Sequence, residues 1–379
     1  MAKLGEVCLI NPKSCALRDD TEVSFVPMTK VGECGEFDAS EIKHYSEVKK
    51  GFTNFQNDDI LFAKITPCME NGKGAIAQNM KNGVGFGSTE FHVLRPDTDK
   101  ITSEWLYYLT TWKTFRQEAE RNMTGSAGQK RVPKTFLKNY VVNLPEIDTQ
   151  KNESKILRKV DDLISLRKQQ LAKLDELVKA RFVEMFETRK YPIEKLGRVC
   201  EKITDGTHKT PTYLDSGIKF ISAKNIIDGK VDLTDTKYIS KNEYQEIQKR
   251  CQVEIQDILL TKSGTLGIPA IIRTDCALGL FESLAVIKYD RSKLLPYFLY
   301  EQLRCNRVQR QFKAGTKGVA VMHLHLGVIS DIDIIVPPIS YQLEFSDFAE
   351  QVDKQKQTVQ QSLDKLELMK KALMQEYFG

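Results

Sequence analysis

Two long stretches of the chain carry apolar residues at helical intervals. Residues 146–188 and 339–379 contain no proline, and no glycine before the last residue. In the second stretch Phe345, Val352, Val359, Leu366 and Leu373 recur every seven residues, with Leu363 and Met369 widening the stripe. Such a repeat, sustained over four intervals, is the seam of a coiled coil. An amphipathic helix lying on a globular core is the alternative, but the flanking Lys and Gln leave one narrow stripe that suits a single partner helix. In the first stretch Ile156, Val160, Leu163, Leu174 and Leu177 follow alternating steps of three and four, interrupted by Arg167 and Gln170. A helix of roughly 38 residues spans about 57 Å. Elsewhere, residues 1–145 and 191–337 mix short apolar runs (EVSFVPM, GIKFISA, PAIIRT, DIDIIVPP) with frequent Gly, Asn and Asp. That texture is strand-rich α+β with long loops and a few helices.

The two halves repeat each other. KLGEVC at 3–8 returns as KLGRVC at 195–200, and LPEIDTQ at 144–150 falls on VPPISYQ at 336–342, aligning Pro145 with Pro337, Ile147 with Ile339 and Gln150 with Gln342. KLDELVKARFVEMF at 173–186 matches KLELMKKALMQEYF at 365–378 without a gap; Lys173, Leu174, Lys179, Ala180, Glu184 and Phe186 are repeated identically. Between these points the register drifts, since NDDILFAKI at 57–65 best matches IQDILLTKS at 255–263. A duplicated fold with independently varied insertions produces this pattern. The expected fold is α+β, with tandem domains at 1–147 and 191–338 and long helices at 148–190 and 339–379. Antiparallel packing of the helices as a pseudo-two-fold coiled coil is expected, because a parallel pair would force the second domain to bridge about 57 Å. The result would be two similar readers on a two-helix spacer, suited to duplex DNA, whose half-sites about 34 to 36 Å apart present the same face.

Composition narrows the class. The 379 residues are 41% hydrophobic and 28% charged, which is ordinary for a globular protein. No apolar run approaches membrane-spanning length and no signal peptide is visible, so a cytoplasmic location is the default expectation. The eight cysteines (8, 15, 34, 68, 200, 251, 276 and 305) include no Cys-x-x-Cys pair, which argues against a disulfide framework or zinc site and for reduced, mostly buried thiols. A net charge of +5 permits a polyanionic partner without requiring one.

Candidate DNA-contacting residues lie in loops at corresponding places. AKITPCMENGKGA (63–75) offers Lys64, Thr66, Asn71 and Lys73, and LLTKSGTLGIPA (259–270) offers Lys262, Ser263 and Thr265. Their hydroxyls, amides and ammonium groups suit phosphates and base edges. TGSAGQKRVPK (124–134) adds Lys130, Arg131 and Lys134, and AGTKGVAVMH (314–323) adds Lys317, with Gly125 aligned to Gly315 and Gly128 to Gly318. Glycine permits close approach to a phosphate, and the cations neutralise it. ITDGTHKTP (203–211) contributes Thr207, His208 and Lys209 in one half only. A plain solvated loop is the alternative for each. Arg304, Arg307, Arg310 and Lys313, spaced by three, read as a solvated or phosphate-facing helix side, and His323 with His325 lacks a third metal ligand. There is no P-loop, no Gly-x-Ser-x-Gly and no Asn/Asp-Pro-Pro-Tyr/Phe tetrapeptide. Nothing in the chain points to catalysis or to a metal or cofactor of its own.

FVPMTKVGE, DILFAKITPCMENGKG, ITDGTHKTP, GIKFISAKNI, DILLTKSGTLG and the twice-used Pro-x-Ile-x-x-Gln together resemble the specificity subunit of type I restriction-modification systems, over essentially the whole chain. The resemblance implies a non-catalytic reader of double-stranded DNA. Its two target-recognition domains each read half of an asymmetric bipartite sequence, and the paired helices set the spacer. It further implies two docked methylation subunits that use S-adenosylmethionine, with the helix ends and exposed coiled-coil faces as the docking surface. Restriction subunits that use ATP and Mg would join them, and no membrane is involved. Glu146 departs from the more usual Pro-Pro pair kept at Pro337 and Pro338. Two alternatives remain open: a coiled-coil scaffold that binds proteins at both ends, and the specificity part of a self-contained restriction-methylation enzyme.

Overall fold

The computed structural model describes residues 1–13, 16–126, 128–316 and 323–379. Two compact units divide the chain: Met1–Arg167 with Ser362–Gly379, and Lys168–Gln361. Each unit owns part of both long helices, which run Ile147–Phe182 and Ile339–Phe378.

The units repeat one sheet topology. In the first, an antiparallel sheet has the order Cys8–Ile10, Phe91–Pro96, Ile60–Ala63, Gly74–Ile76. In the second, Cys200–Asp205, Leu284–Tyr289, Ile258–Thr261 and Pro269–Ile271 follow the same order with the same antiparallel pairing. A smaller sheet also recurs, in which Glu22–Val26 pairs parallel with Val84–Gly87 and Ile218–Ile221 pairs parallel with Leu278–Leu280. After the third strand of this sheet the first unit has the short helix Tyr45–Val48 and then adds the strand Thr53–Gln56, whereas the second has the longer helix Lys241–Arg250 and no such added strand among its described residues.

The repeated words have structural jobs. Every residue of Ile60–Ala63 and Ile258–Thr261 is buried, which is why Asp-Ile-Leu opens a continuous apolar run and not an alternating one. The aspartate before each run closes a turn whose preceding residue is left-handed, Asp58 at φ 70° and Gln256 at φ 73°. Asp59 makes a two-point ion pair with Arg95 at 2.7 Å, and Asp257 meets Lys288 at 2.7 Å. The two openings are core elements as well: fully buried Leu4 donates its N–H to Tyr140 O (2.8 Å), and fully buried Leu196 donates to Ile332 O (3.0 Å).

Each Pro-x-Ile-x-x-Gln ends in a fully buried glutamine that ties the start of a long helix to its globular body. Gln150 accepts from the Thr102 N–H (2.9 Å) and donates to the carbonyls of Lys100 (2.9 Å) and Pro145 (2.8 Å). Gln342 accepts from the Leu295 N–H (2.9 Å) and donates to Lys293 O and Pro337 O, both at 2.8 Å. The motif is therefore a joint. Gln150→Ala or Gln342→Ala leaves three backbone groups at the joint without their partner, and each should cost about 2–3 kcal/mol of stability, measured by denaturant unfolding of the full chain.

Within each unit the two helices run antiparallel. In the first, Asp161 pairs with Lys370 (2.5 Å) and Arg167 donates to Ser362 Oγ (3.2 Å); in the second, Asp175 pairs with Lys356 (2.5 Å). The second helix buries Phe345, Val352, Val359 and Leu363 as its spacing predicts, while Met369 is exposed. The first helix corrects the expected seam by one residue. Leu157, Ile164, Leu171 and Val178, also spaced by seven, face inward with Val160 and Leu174. Ile156, Leu163 and Leu177 lie outside at 43–47% exposure. Two apolar stripes run side by side on this helix, and only packing against the second helix selects between them. Arg167 and Ser362 form a polar step in that seam, which explains the interruption at Arg167. Of the described cysteines, Cys8 and Cys251 are buried and Cys34 and Cys276 exposed, all as free thiols; Cys15 lies outside the described residues. Among the described residues no helix is long and apolar enough to cross a membrane.

Candidate nucleic-acid interface

In the first unit the loops 63–75 and 124–134 form one surface. Ile65 bridges Arg131, the Thr66 N–H donates to Lys130 O (3.1 Å), and the Val132 N–H donates to Lys64 O (2.9 Å). Lys64, Thr66, Lys130 and Arg131 are thereby brought together. From beneath, buried Arg116 donates to Met69 O (2.7 Å) and stacks over Phe62, while His92 bonds Val132 O at 2.8 Å. Burial pushes the Arg116 guanidinium down to about 10 and lowers the His92 imidazole. Arg131 grips Glu90 with two bonds of 2.9 Å, and that grip holds the Glu90 carboxyl below the usual carboxylate range. Lys64 Nζ donates to Thr89 O (2.6 Å), Lys73 Nζ reaches Met28 O (3.3 Å), and Thr66 donates to Glu70 (2.9 Å). Asn71, Lys130 and Lys134 are exposed, with Lys134 opening the short helix Lys134–Asn139.

The second unit repeats this scaffold with different chemistry. The Leu324 N–H donates to Lys262 O (2.9 Å) as Val132 does to Lys64, and Gln309 donates to Gly267 O (2.8 Å) where Arg116 serves the first unit. Ser263 is half-buried and Thr265 exposed, with Thr265 O accepting from the Thr261 hydroxyl. Lys262 departs from its expected role as an exposed cation. Its side chain is only 4% exposed and its ammonium is paired with buried Asp205, because the strand Ile258–Thr261 delivers it into the interior. Arg250, at the end of its helix, pairs with the other oxygen of Asp205. Burial opposes the Asp205 charge, but Lys262 and Arg250 outweigh it and hold the carboxyl below its ordinary value.

Gly206 makes this corner possible. A Cβ there would stand 2.1 Å from Leu280 O, so only glycine allows the strand to turn directly into Thr207, His208 and Lys209. Thr207 Oγ1 caps the Lys209 N–H (3.1 Å). His208 Nε2 lies 3.4 Å from Asp205 and 3.2 Å from Arg250, while its Nδ1 lies 3.4 Å from Glu282. His323 Nε2 stands 3.6 Å from the same Glu282 carboxylate.

A model of the type I restriction modification DNA specificity domain matches this chain twice, over residues 1–176 and 190–368. The chain belongs to that family. It is 42% identical over 179 residues to the type I restriction enzyme EcoAI specificity subunit of Escherichia coli, a match covering 45% of this chain and 30% of that protein. It is 22% identical over 376 residues to the putative type I restriction enzyme MjaX specificity subunit of Methanocaldococcus jannaschii, covering 93% and 83%. The matched segments span less than a third of the EcoAI protein and 24% of the EcoEI specificity subunit. In fold it is similar to the S subunit of the type I restriction-modification system of M. genitalium, with a TM-score of 0.60 and 13% identity over 100% of this chain and 95% of that one. A chain from a type I R-M system structure on complex assembly gives 0.58 and 18%, over 99% and 96%. Each of the two specificity-domain matches contains one complete loop cluster.

Two expectations read differently in the fold of this specificity-domain chain. Gly315 ends the helix Asn306–Gly315, where a Cβ would meet Val328 at 2.3 Å; it serves packing, unlike left-handed Gly125 and Gly128. Lys317 and Gly318 lie outside the described residues. Arg304 does not share a helix with Arg307, Arg310 and Lys313, because extended Cys305 separates Pro296–Arg304 from Asn306–Gly315, and Arg304 pairs with Glu301 at 2.7 Å. Among the described residues no three His, Cys, Asp or Glu side chains gather to hold a metal. Sequence reading missed Asp205, Arg250, Glu282 and Glu90. The signal available was the Asp-Gly of ITDGTH, where a glycine between a strand and a Thr-His-Lys run marks a forced turn.

Proposed function

We propose that this chain is the non-catalytic DNA-specificity subunit of a type I restriction-modification enzyme, in which residues 1–147 and 191–338 each read one half of a bipartite, asymmetric target. One observation carries the reading: a duplicated scaffold presents corresponding loops, tethered by equivalent bonds, with unlike side chains. Arg131 on Glu90 in one unit stands where His323 faces Glu282 in the other. A scaffold conserved between halves whose loops differ is what an asymmetric half-site pair requires. Lys64, Thr66, Asn71, Lys73, Lys130, Arg131 and Lys134 would contact the first half-site, and Thr207, His208, Lys209, Ser263, Thr265 and Lys317 the second. Lys262 would act through Asp205.

The helices at 148–190 and 339–379 would set the spacer between half-sites. Methylation subunits would dock on their uncovered faces. In the first unit Ile156, Leu163, Leu166, Leu368 and Met369 are exposed at 43–67%, an unusual run of apolar surface for free helices. S-adenosylmethionine would belong to those subunits, and ATP with Mg to the restriction subunits.

The test is an exchange of residues 1–150 with those of a relative of different specificity, followed by sequencing of methylated adenines in cells carrying the system. One half of the methylated sequence should change and the other should stay. Unchanged methylation, or a change in both halves, would sink the reading.

A further inference from the structure

The Lys168–Gln361 unit contains a polar row that the sequence reading did not identify. Arg250, His208, Glu282 and His323 follow one another at 3.2, 3.4 and 3.6 Å. Arg250 and His208 are about half exposed, at 52% and 54% of their side chains, and Glu282 and His323 are 27% exposed. Behind the row, Asp205 and Lys262 are buried almost completely.

Three features separate this row from an ordinary surface salt-bridge network. First, Asp205 already has Lys262 on one oxygen, so neutralising the buried carboxylate does not require Arg250. Its second oxygen instead fixes the guanidinium in place, which prepares an arginine for two-point recognition. Second, the fixed charges are balanced: the Asp205 and Glu282 carboxylates oppose the Lys262 and Arg250 cations, which suits a base edge better than a phosphate. Third, the first unit silences the equivalent carboxylate, since Arg131 holds Glu90 with two bonds of 2.9 Å. Among the described residues, the charged partners of the Glu282 carboxylate are imidazoles at 3.4 and 3.6 Å, beyond normal hydrogen-bond length, so its acceptor capacity is not consumed by them.

Arg250 and Glu282 flank a single imidazole ring. A forked donor and a carboxylate acceptor that close together match the major-groove edges of guanine, which accepts at O6 and N7, and of cytosine, which donates from its amino group. We propose that Arg250 and Glu282 read one G·C base pair of the second half-site, Arg250 donating to guanine and Glu282 accepting from cytosine, with Asp205 and Lys262 positioning the arginine. The inference rests on the specificity-subunit reading above.

The test places Arg250→Ala, Arg250→Lys and Glu282→Gln in the whole system and sequences methylated adenines. Each variant should lose the preference for one G·C pair by roughly 10- to 100-fold. Both arginine variants should relax the same position as Glu282→Gln, and the first half-site should stay as it was. Arg250→Lys is decisive against a purely electrostatic role, since lysine keeps the charge and lacks the fork. Retention of every wild-type preference in Arg250→Ala and Glu282→Gln overturns the proposal. Loss of methylation at both half-sites, or relaxation of different positions by the arginine and glutamate variants, overturns it equally. If the wild-type system methylates no bipartite sequence, the specificity-subunit reading fails instead.

Discussion

Asp205→Ala should destabilise the Lys168–Gln361 unit by about 3–5 kcal/mol, because it leaves a charged lysine buried without its counterion. The Lys262 side chain is 4% exposed, and it directly follows the strand Ile258–Thr261, which is buried at every residue and paired on both sides, so the ammonium cannot swing out to water without disrupting the sheet. Removing both charges should be far milder than removing one: Asp205→Ala with Lys262→Met should recover most of the loss in a double-mutant cycle. Urea unfolding of the full chain measures both. Equal stability of Asp205→Ala and the parent would show that the pair is not buried in solution.

The same pair fixes a pH dependence. Asp205 has its carboxyl held below the ordinary value in the fold, so its contribution is complete above the unfolded-state value, about 3.9. It is lost as pH falls through the lower folded-state value. The stability gap between the parent and Asp205→Asn should therefore be constant above about pH 5 and should shrink in more acidic solution. A gap that instead closes as pH rises would contradict the assignment.

Inserting seven residues into both long helices should lengthen the preferred DNA spacer by about three base pairs while leaving both half-sites unchanged. Seven residues add about 10.5 Å of helix, against about 3.4 Å per base pair, and preserve the heptad seam to within about 20°. The insertions belong between Arg167 and Lys168 and between Gln361 and Ser362, where the two units meet along the chain. Placing them in both helices keeps the antiparallel pairs Asp161–Lys370 and Asp175–Lys356 in register. Methylated-adenine sequencing reads the spacer directly. An unchanged spacer, or altered half-sites, would remove the helices from the role of ruler.

The two long helices and the duplication were legible without coordinates. Heptad spacing at Phe345, Val352 and Val359 is a local signal, and it ended in buried residues. The paired glutamines were visible as a repeated word, although their work as triple hydrogen-bonded joints was not. On the first helix the local signal was ambiguous. Ile156, Leu163 and Leu177 satisfy helical spacing as well as Leu157, Ile164 and Val178 do, and periodicity alone cannot rank two adjacent stripes.

Loop chemistry was legible only by type. Lys64 and Lys262 occupy equivalent positions after the same Asp-Ile-Leu, yet one bonds a surface carbonyl and the other sits inside beside Asp205. Nothing near Lys262 in sequence announces this, because Asp205 is 57 residues away. The sequence by itself thus determined what repeats and periodicity can encode: the class of fold, the duplication, and which loops correspond. The tertiary structure decided which stripe of a helix is covered, which lysine is buried, and that Asp205, Arg250, Glu282 and His323 share one corner. Those outcomes depend on contacts between residues far apart in the chain, whose energies are set by packing and burial and not by neighbours in sequence.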